Sequence, residues 1–238
     1  MTDRISAILK QVGSIKPPVP VDFKKLETYT VKKVSDADTL DAIDKKGNEL
    51  TVRFVYIDAP ETAKGWGYKK VEDLNQSNPL YQTQFHWGEA GTNRLQELVE
   101  QSQGKVKLRI NDTDSRYNRV ICEVYLLDGT FVQYELIREG LALIYYDYFN
   151  KCPRDTAILL LLAEAEAERQ QKGLWQEPKT KFIVPWLFRA MKKAQKNLVQ
   201  DPKTHDQLVK QIQKLCKKLD TGKLTDNEFA EQFKQLMK

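Results

Sequence analysis

The sequence contains few of the residues that build disulfide frameworks or zinc sites. Only three cysteines, Cys122, Cys152 and Cys216, and two histidines occur among its 238 residues. An odd number of widely spaced cysteines, with no Cys-x-x-Cys pair, excludes a disulfide scaffold, and no Cys/His cluster indicates zinc. We therefore expect each cysteine to fill a small apolar site.

Long apolar segments are also absent. No stretch approaches the roughly 18 apolar residues of a membrane-spanning helix, so no membrane segment is predicted. Residues 1–15 contain only a short apolar stretch and no small-residue cleavage site, so no secretory signal is predicted and a cytoplasmic location is expected. Apolar residues make up 41% and aromatic residues 10% of the chain, enough for a folded core.

The charge is unevenly distributed along the chain. Residues 181–238 hold 13 Lys or Arg and 6 Asp or Glu, a net charge of +7, whereas the whole chain carries +5 and residues 1–180 therefore carry −2. A polyanionic partner would be attracted chiefly through this tail. The tail also has helical periodicity, and Thr225 and Glu228 have the spacing of a capping box.

The hydrophobic pattern divides the chain into three regions. Residues 1–27 are predicted to form a short helix at 3–12 and a proline-rich linker, and residues 179–238 a small basic helical module. Between them, residues 28–178 are predicted to contain strands at 29–34, 39–43, 49–57, 105–110 and 119–127, helices at 88–101, 131–142 and 155–173, and a long irregular loop at 64–85. This order predicts an α+β fold, a small closed five-stranded β-barrel of the OB-fold type with three helices.

Acidic residues are concentrated at the ends of two predicted strands. Asp36 and Asp38 occur in VSDADTL, two residues apart, so both carboxylates project from the same face of a strand. Asp58 ends the strand in VRFVYIDAPET, and the following Pro60 favours an extended backbone that could expose the carbonyl of Ala59. Because hard cations such as Ca²⁺ prefer oxygen ligands, convergence of these groups would form a metal site.

Two arginines and one glutamate would complete a phosphodiesterase site. Arg53 and Arg119 have guanidinium groups that match phosphate oxygens, and Glu61 follows Asp58 closely enough to act on a water molecule. Arg53 and Asp58 are five residues apart, so a flat strand would direct them to opposite faces. We therefore expect a twist or bend near Ile57–Pro60 to bring them together. By spacing alone, solvated acids beside a turn would explain the same pattern equally well.

In combination and in this order, the motifs resemble the staphylococcal nuclease family. The resemblance covers roughly residues 28–176 and is carried by VSDADTL, VRFVYIDAPET, SRYNRV and GLALIYYDY. It implies an OB-fold, Ca²⁺-dependent phosphodiesterase that hydrolyses DNA and RNA and leaves 3′-phosphate ends. Endonuclease action is implied, with exonuclease action left open.

The resemblance also implies individual roles. Asp38, Asp58 and the backbone carbonyl of Ala59 would bind Ca²⁺, with Asp36 nearby through a water molecule. The catalytic residues would be Glu61, as the general base, and Arg53 and Arg119, which would bind the phosphate. Four further residues would contact the nucleotide: Arg116, Tyr117, Tyr146 and Tyr148.

Two departures from the family pattern leave an alternative open. Ala37 and Asn118 occupy positions where the family has glycine, and Ala37 would be strained if its φ had to be positive. The alternative is therefore a weak or inactive OB-fold module that binds nucleic acid or protein. In either case residues 179–238 would provide docking to a protein partner, self-association or extra contact with DNA. The retention of every proposed catalytic side chain favours the enzyme.

Overall fold

The computed structural model describes residues 22–64, 79–178 and 181–198, together with part of 211–235. The helix predicted at 3–12, most of the proline-rich linker and the loop residues 65–78 lie outside the described residues. The chain divides into two compact units, Met1–Glu177 and Pro178–Lys238.

The first unit is built around a closed barrel whose strand order is β1-β2-β3-β6-β5. These strands are β1 Glu27–Asp36, β2 Thr39–Ile43, β3 Glu49–Phe54, β5 Lys105–Asp114 and β6 Arg119–Tyr125. Adjacent strands of the barrel pair antiparallel, except that β3 and β6 pair in parallel. Small and branched side chains fill the interior, among them Leu40, Ala42, Val52, Phe54 and Val124. The predicted five-stranded barrel is confirmed.

A second, two-stranded sheet lies beside the barrel and was not predicted. It pairs β4 Ile57–Asp58 with β7 Leu143–Ile144. The sequence predicts one continuous strand over residues 49–57, but β3 ends at Phe54 and Tyr56 has a φ of +70°. The left-handed backbone at Tyr56 separates β4 from β3, because a regular strand requires a negative φ.

The three predicted helices are present in the first unit, with different boundaries. They are α1 Pro79–Gln101, α2 Val132–Arg138 and α4 Arg154–Arg169; a short helix α3 spans Tyr146–Phe149, and Phe23–Lys25 and Gly173–Gln176 are 3₁₀ turns. The prediction that residues up to 85 are irregular was wrong for 79–85, because Pro79 suits the first turn of a helix. The third helix, predicted over 155–173, begins one residue earlier, at Arg154 after Pro153, and ends at Arg169.

The second unit contains a helix, α5 Pro185–Leu198, and its own small core. Leu215 and Phe229 are buried at the centre of this core, and the surrounding apolar side chains are Leu187, Ala190, Met191, Ile212, Leu219 and Leu224. The predicted capping box is formed: the Glu228 carboxylate accepts from the Thr225 backbone at 2.8 Å, and the Thr225 hydroxyl accepts from the Glu228 backbone at 3.3 Å. Within the described part of the chain, no helix has the length and apolar content needed to span a bilayer.

Candidate active site

The guanidinium group of Arg53 connects the two acids expected to bind metal. Arg53 lies on β3 opposite Thr39, which is next to Asp38 at the start of β2. Its Nη1 donates to Asp38 Oδ1, and its Nη2 donates to Asp58 Oδ1 at 2.5 Å. Both aspartates are almost completely buried, whereas the Arg53 side chain is 18% exposed. The structure thus brings these three predicted site residues together.

The strand bend that permits this arrangement lies at Val55–Tyr56. The sequence predicted it a little later, near Ile57–Pro60, and that position was wrong. The Val55 amide still donates to the Cys122 carbonyl of β6, at 2.9 Å, and the next residue, Tyr56, has the positive φ. This one left-handed residue changes which side of the strand the following side chains occupy, so that Asp58 faces Arg53.

Asp38 also accepts hydrogen bonds from groups other than Arg53. Its Oδ2 accepts from the Ala59 backbone amide at 2.7 Å, which connects it to the segment after Asp58, and its Oδ1 also accepts from the Thr39 hydroxyl at 3.2 Å. Asp36 accepts from the Asp38 amide at 3.2 Å and so supports the turn. Burial raises the pKa of Asp38 from 3.8 to about 7, against the lowering effect of Arg53.

Two glycines of α1 determine how closely this helix approaches the acids. A Cβ on Gly88 would lie 2.0 Å from the carbonyl oxygen of Glu61, and one on Gly91 would lie 2.8 Å from the Cβ of Ala37. Ala37 is fully buried and is not among the residues with positive φ, so the strain considered for it does not arise. Sequence reasoning missed both glycines, although their three-residue spacing in WGEAG places them on one helix face.

The proposed base, Glu61, is half-buried on the segment directly after β4. Its backbone packs against Gly88, and the carbonyl of Pro60 is also within 2.9 Å of the position that a Cβ on Gly88 would occupy. The peptide unit of Glu61 is therefore held by the helix, and the side chain extends from a constrained backbone three residues after Asp58.

Arg119 is on the same barrel surface as Arg53 but contacts other groups. It lies on β6 opposite Thr51, and Thr51 and Arg53 are two residues apart on β3, so the three side chains share one face. Its guanidinium donates to Asp114 at 3.1 Å and stacks on the Tyr117 ring, with 4.8 Å to the centroid. The preceding Asn118 has a φ of +48°, a geometry that asparagine tolerates well.

The residues expected to bind the nucleotide are on the surface. Arg116 is exposed, and Tyr117, Tyr146 and Tyr148 are exposed by 62%, 56% and 53%. The hydroxyl of Tyr146 donates to Glu164 at 3.2 Å, and the same carboxylate accepts from the Ile144 amide of β7 at 2.8 Å. Burial raises the pKa of Glu164 from 4.5 to about 6. Glu164 thus orients Tyr146, a role that the sequence did not reveal.

Comparisons with known proteins agree with this geometry. The profile of the family described as staphylococcal nuclease homologue matches residues 51–177, more than half of the chain. The chain belongs to the staphylococcal nuclease family. The matched region contains Arg53, Asp58, Glu61 and Arg119.

Relatives of this nuclease carry related names. An uncharacterized endonuclease of Escherichia coli is 28% identical over 162 residues, which cover 68% of this chain and 84% of that protein. Endonuclease YncB of Bacillus subtilis is 33% identical, over 65% of this chain and 64% of the relative. The thermonuclease of Staphylococcus intermedius is 29% identical, over 63% and 77% respectively. The chain is accordingly a nuclease, a hydrolase that acts on nucleic acid.

The acid pair of this nuclease has the chemistry of a hard-cation site. Among the described residues no group of three or more His, Cys, Asp or Glu is close enough to hold a metal ion, so carboxylates alone do not form a full ligand set. Asp38 and Asp58, however, place two buried carboxylates around one guanidinium. Because burial raises the pKa of Asp38, a bound divalent cation would favour the ionised form of this carboxyl group.

Proposed function

We propose that this protein is a Ca²⁺-dependent nuclease that hydrolyses phosphodiester bonds of DNA, RNA or both and leaves 3′-phosphate ends. The observation that carries the proposal is the Arg53 bridge between Asp38 and Asp58, which gathers residues of two separate motifs at one buried site. Arg109 also bridges two acids, but one of them, Asp22, is half exposed, whereas both acids bonded to Arg53 are almost completely buried.

In this proposal the metal is held by Asp38, Asp58 and the carbonyl of Ala59, with Asp36 in contact through water. When bound, Ca²⁺ would supply electrostatic stabilisation of the negative charge on the phosphate. Glu61 accepts a proton from the attacking water, because its carboxylate follows the metal-binding segment and lies on a constrained backbone. The group that leaves is the 5′ oxygen of the next nucleotide.

The two arginines bind the phosphate from one face of the barrel. Arg53 is adjacent to the acids, and Arg119 lies on the neighbouring strand, held by Asp114. Their guanidinium groups stabilise the charge that develops at phosphorus, and Arg119 also assists departure of the leaving oxygen. Removal of such a group is expected to lower kcat by about 10²-fold or more.

The exposed aromatic residues provide the nucleotide contact. Tyr117, Tyr146 and Tyr148 present rings to solvent, and stacking on a nucleobase requires such a surface. Arg116 lies beside Tyr117 in the same loop and is proposed to contact a phosphate. Because stacking does not distinguish bases strongly, we expect little sequence preference.

The decisive experiment is digestion of single-stranded DNA, double-stranded DNA and RNA with Ca²⁺, Mg²⁺ or EDTA. The wild type is compared with Arg53→Ala and Glu61→Gln, and with Arg94→Ala as a matched control, since Arg94 is also ion-paired with a glutamate but lies on α1 away from the acids. Ca²⁺-dependent cleavage that is lost in the first two variants and retained in Arg94→Ala supports the proposal.

Absence of cleavage under every condition, with binding retained, would support the alternative of a non-cutting OB-fold module. Cleavage that is equally strong in EDTA would contradict the metal dependence. The 3′-phosphate is tested by mapping the product ends, because ends of this kind resist ligation until a phosphatase has treated them.

We further propose that residues 179–238 target the nuclease, through a protein partner or through self-association. The unit has its own apolar core around Leu215 and Phe229 and carries the basic excess of the chain. Deletion of 179–238, followed by light scattering and a salt-dependent DNA-binding assay, tests this. A change of oligomeric mass supports self-association, whereas weaker DNA binding at unchanged mass supports direct contact with DNA.

A further inference from the structure

A buried acid outside the pair of Asp38 and Asp58, Glu123, lies on the same face of β6 as Arg119. Four residues separate them, and the alternation of a strand directs both side chains to that face. Glu123 is 1% exposed and is surrounded by donors. Its Oε2 accepts from the Tyr125 hydroxyl at 2.6 Å and from Arg109 at 3.1 Å, and its Oε1 accepts from the Tyr56 hydroxyl at 3.2 Å. The mechanism proposed above does not use this carboxylate.

One of these donors, Tyr56, is the residue at which the chain bends between Arg53 and Asp58. Its φ of +70° directs Asp58 towards Arg53. The hydroxyl of Tyr56 also accepts from the Asn111 amide at 3.2 Å, and Asn111 in turn accepts from the backbone of Glu123 at 3.0 Å. A left-handed conformation is uncommon for a bulky residue, so contacts of its side chain are needed to maintain it.

The backbone of the same residue reaches the proposed nucleotide-binding segment. The carbonyl of Tyr56 accepts from the amide of Tyr145 at 2.8 Å, directly before the helix that carries Tyr146 and Tyr148. Its ring packs edge-on against Phe149, with the ring centroids 6.5 Å apart. The position of Tyr56 therefore affects the positions of both Asp58 and the exposed tyrosines.

We propose that Glu123 is a positioning residue of the nuclease site that acts through Tyr56. The carboxylate holds the Tyr56 hydroxyl, the side chain holds the left-handed bend, and the bend sets Asp58 against Arg53. Glu123 does not contact the acids itself; it is neither a ligand nor a base. This inference rests on the proposed assignment of Asp58 and Arg53 to the active site.

Tyr125 provides a matched control for this proposal. Tyr56→Phe and Tyr125→Phe each remove one hydroxyl from the same carboxylate, and both residues are almost fully buried. Tyr125 lies at the end of β6, where its ring stacks on Phe131 at 5.1 Å, and it has no place in the segment between Arg53 and Asp58. A purely structural network predicts similar consequences for both variants.

The experiment measures kcat, KM, the Kd for Ca²⁺ by calorimetry and the thermal unfolding midpoint for both full-length variants. We expect similar falls in the unfolding midpoint, but a decrease in kcat and in Ca²⁺ affinity of about tenfold in Tyr56→Phe alone. Glu123→Gln keeps the shape and an acceptor for Tyr56, so it should retain more activity than Glu123→Ala when the two are compared below their unfolding midpoints.

Equal kcat and Ca²⁺ affinity in the Tyr56→Phe and Tyr125→Phe variants would overturn the proposal, as would equal activity of the two Glu123 variants. Arg53→Ala separates this failure from failure of the site assignment. If Arg53→Ala is inactive while Tyr56→Phe is fully active, the site stands and only the role of Glu123 is lost. If Arg53→Ala is active, the site assignment itself is wrong.

Discussion

The domain has two clusters built on a buried acid and an arginine, and they differ in the number of buried carboxylates. In the first, Asp38 and Asp58 share one guanidinium, that of Arg53. In the second, the buried carboxylate of Glu123 accepts from Arg109 and from the hydroxyl groups of two tyrosines, and Arg109 also pairs with the half-exposed Asp22. Burial is nearly complete for Asp38, Asp58 and Glu123.

We expect the difference to separate a site of chemistry from a site of support. A buried acid with donors on both oxygens holds its neighbours in place. Two buried carboxylates around one arginine are costly unless a cation or a proton neutralises their charge, and the raised pKa of Asp38 reflects that cost. Burial of an acid alone therefore does not distinguish the two clusters; the number of buried carboxylates does.

The largest expected effect on stability is that of Arg53→Ala in metal-free protein. Loss of the guanidinium leaves two buried carboxylates without their counterion, and we expect the free energy of unfolding to fall by about 3 kcal/mol. Added Ca²⁺ should restore much of this loss. Chemical denaturation with EDTA and with Ca²⁺ measures both effects, and a loss that Ca²⁺ leaves unchanged would contradict the metal assignment.

Arg109→Ala tests the cluster around Glu123 in the same way. The change removes the cation beside Glu123 but leaves its tyrosine donors, so we expect a smaller loss, about 2 kcal/mol. Ca²⁺ should not rescue it, because the cluster provides one carboxylate already bonded on both oxygens. Rescue by Ca²⁺ equal to that of Arg53→Ala would remove the distinction between the clusters.

Gly91→Ala tests how the helix approaches the first cluster. The added methyl group would lie 2.8 Å from the Cβ of Ala37, which is the residue between Asp36 and Asp38 in the sequence. We expect a net loss of about 1 kcal/mol, because overpacking exceeds the gain in helix propensity. Addition of Ala37→Gly should recover stability, and a double-mutant cycle measured by thermal unfolding checks this. Additive losses would show that the two residues do not compete for the same space.

The last prediction concerns the dependence of stability on pH. The pKa of Asp38 in the folded protein lies above its ordinary value of 3.8, at about 7, so ionisation of Asp38 opposes folding. Its contribution to stability is full below the ordinary value and is lost as the pH rises through about 7. Metal-free wild type should lose stability over that interval, and Asp38→Asn should lose less. Denaturation midpoints measured across this pH interval test the prediction. Parallel curves for the wild type and Asp38→Asn would contradict the raised pKa of Asp38.

The barrel could be predicted from the sequence because apolar and polar residues alternate simply along its strands. Leu40 and Ala42, or Val52 and Phe54, point inward at every second position, and this period is local to the chain. The position of the break at Tyr56 could not be predicted, since nothing in VRFVYI interrupts the β pattern. The hydroxyl of Tyr56 donates to Glu123 on another strand, and a contact between residues so far apart in the sequence leaves no trace in the hydrophobic period.

The candidate site follows the same division. The motif residues Asp38, Arg53 and Asp58 were selected by their order and chemistry, and they do meet in the structure. Asp114 beside Arg119 and Glu164 beside Tyr146 were not selected, because an acid that positions another side chain has no distinctive sequence pattern. The roles of all the predicted site residues, including Asp38, Arg53 and Asp58, remain predictions.

The sequence by itself determined the strand and helix periods, the oxygen-rich chemistry of the motifs and the concentration of basic charge in residues 181–238, because each depends on residue type and spacing. Only the tertiary structure decided that the bend lies at Tyr56, that Gly88 and Gly91 let α1 reach the acids, and that two buried carboxylates share Arg53 while one shares Arg109. Each of these depends on contacts between segments distant in sequence, where burial removes water and makes the pairing of charges and the space for one methyl group decisive.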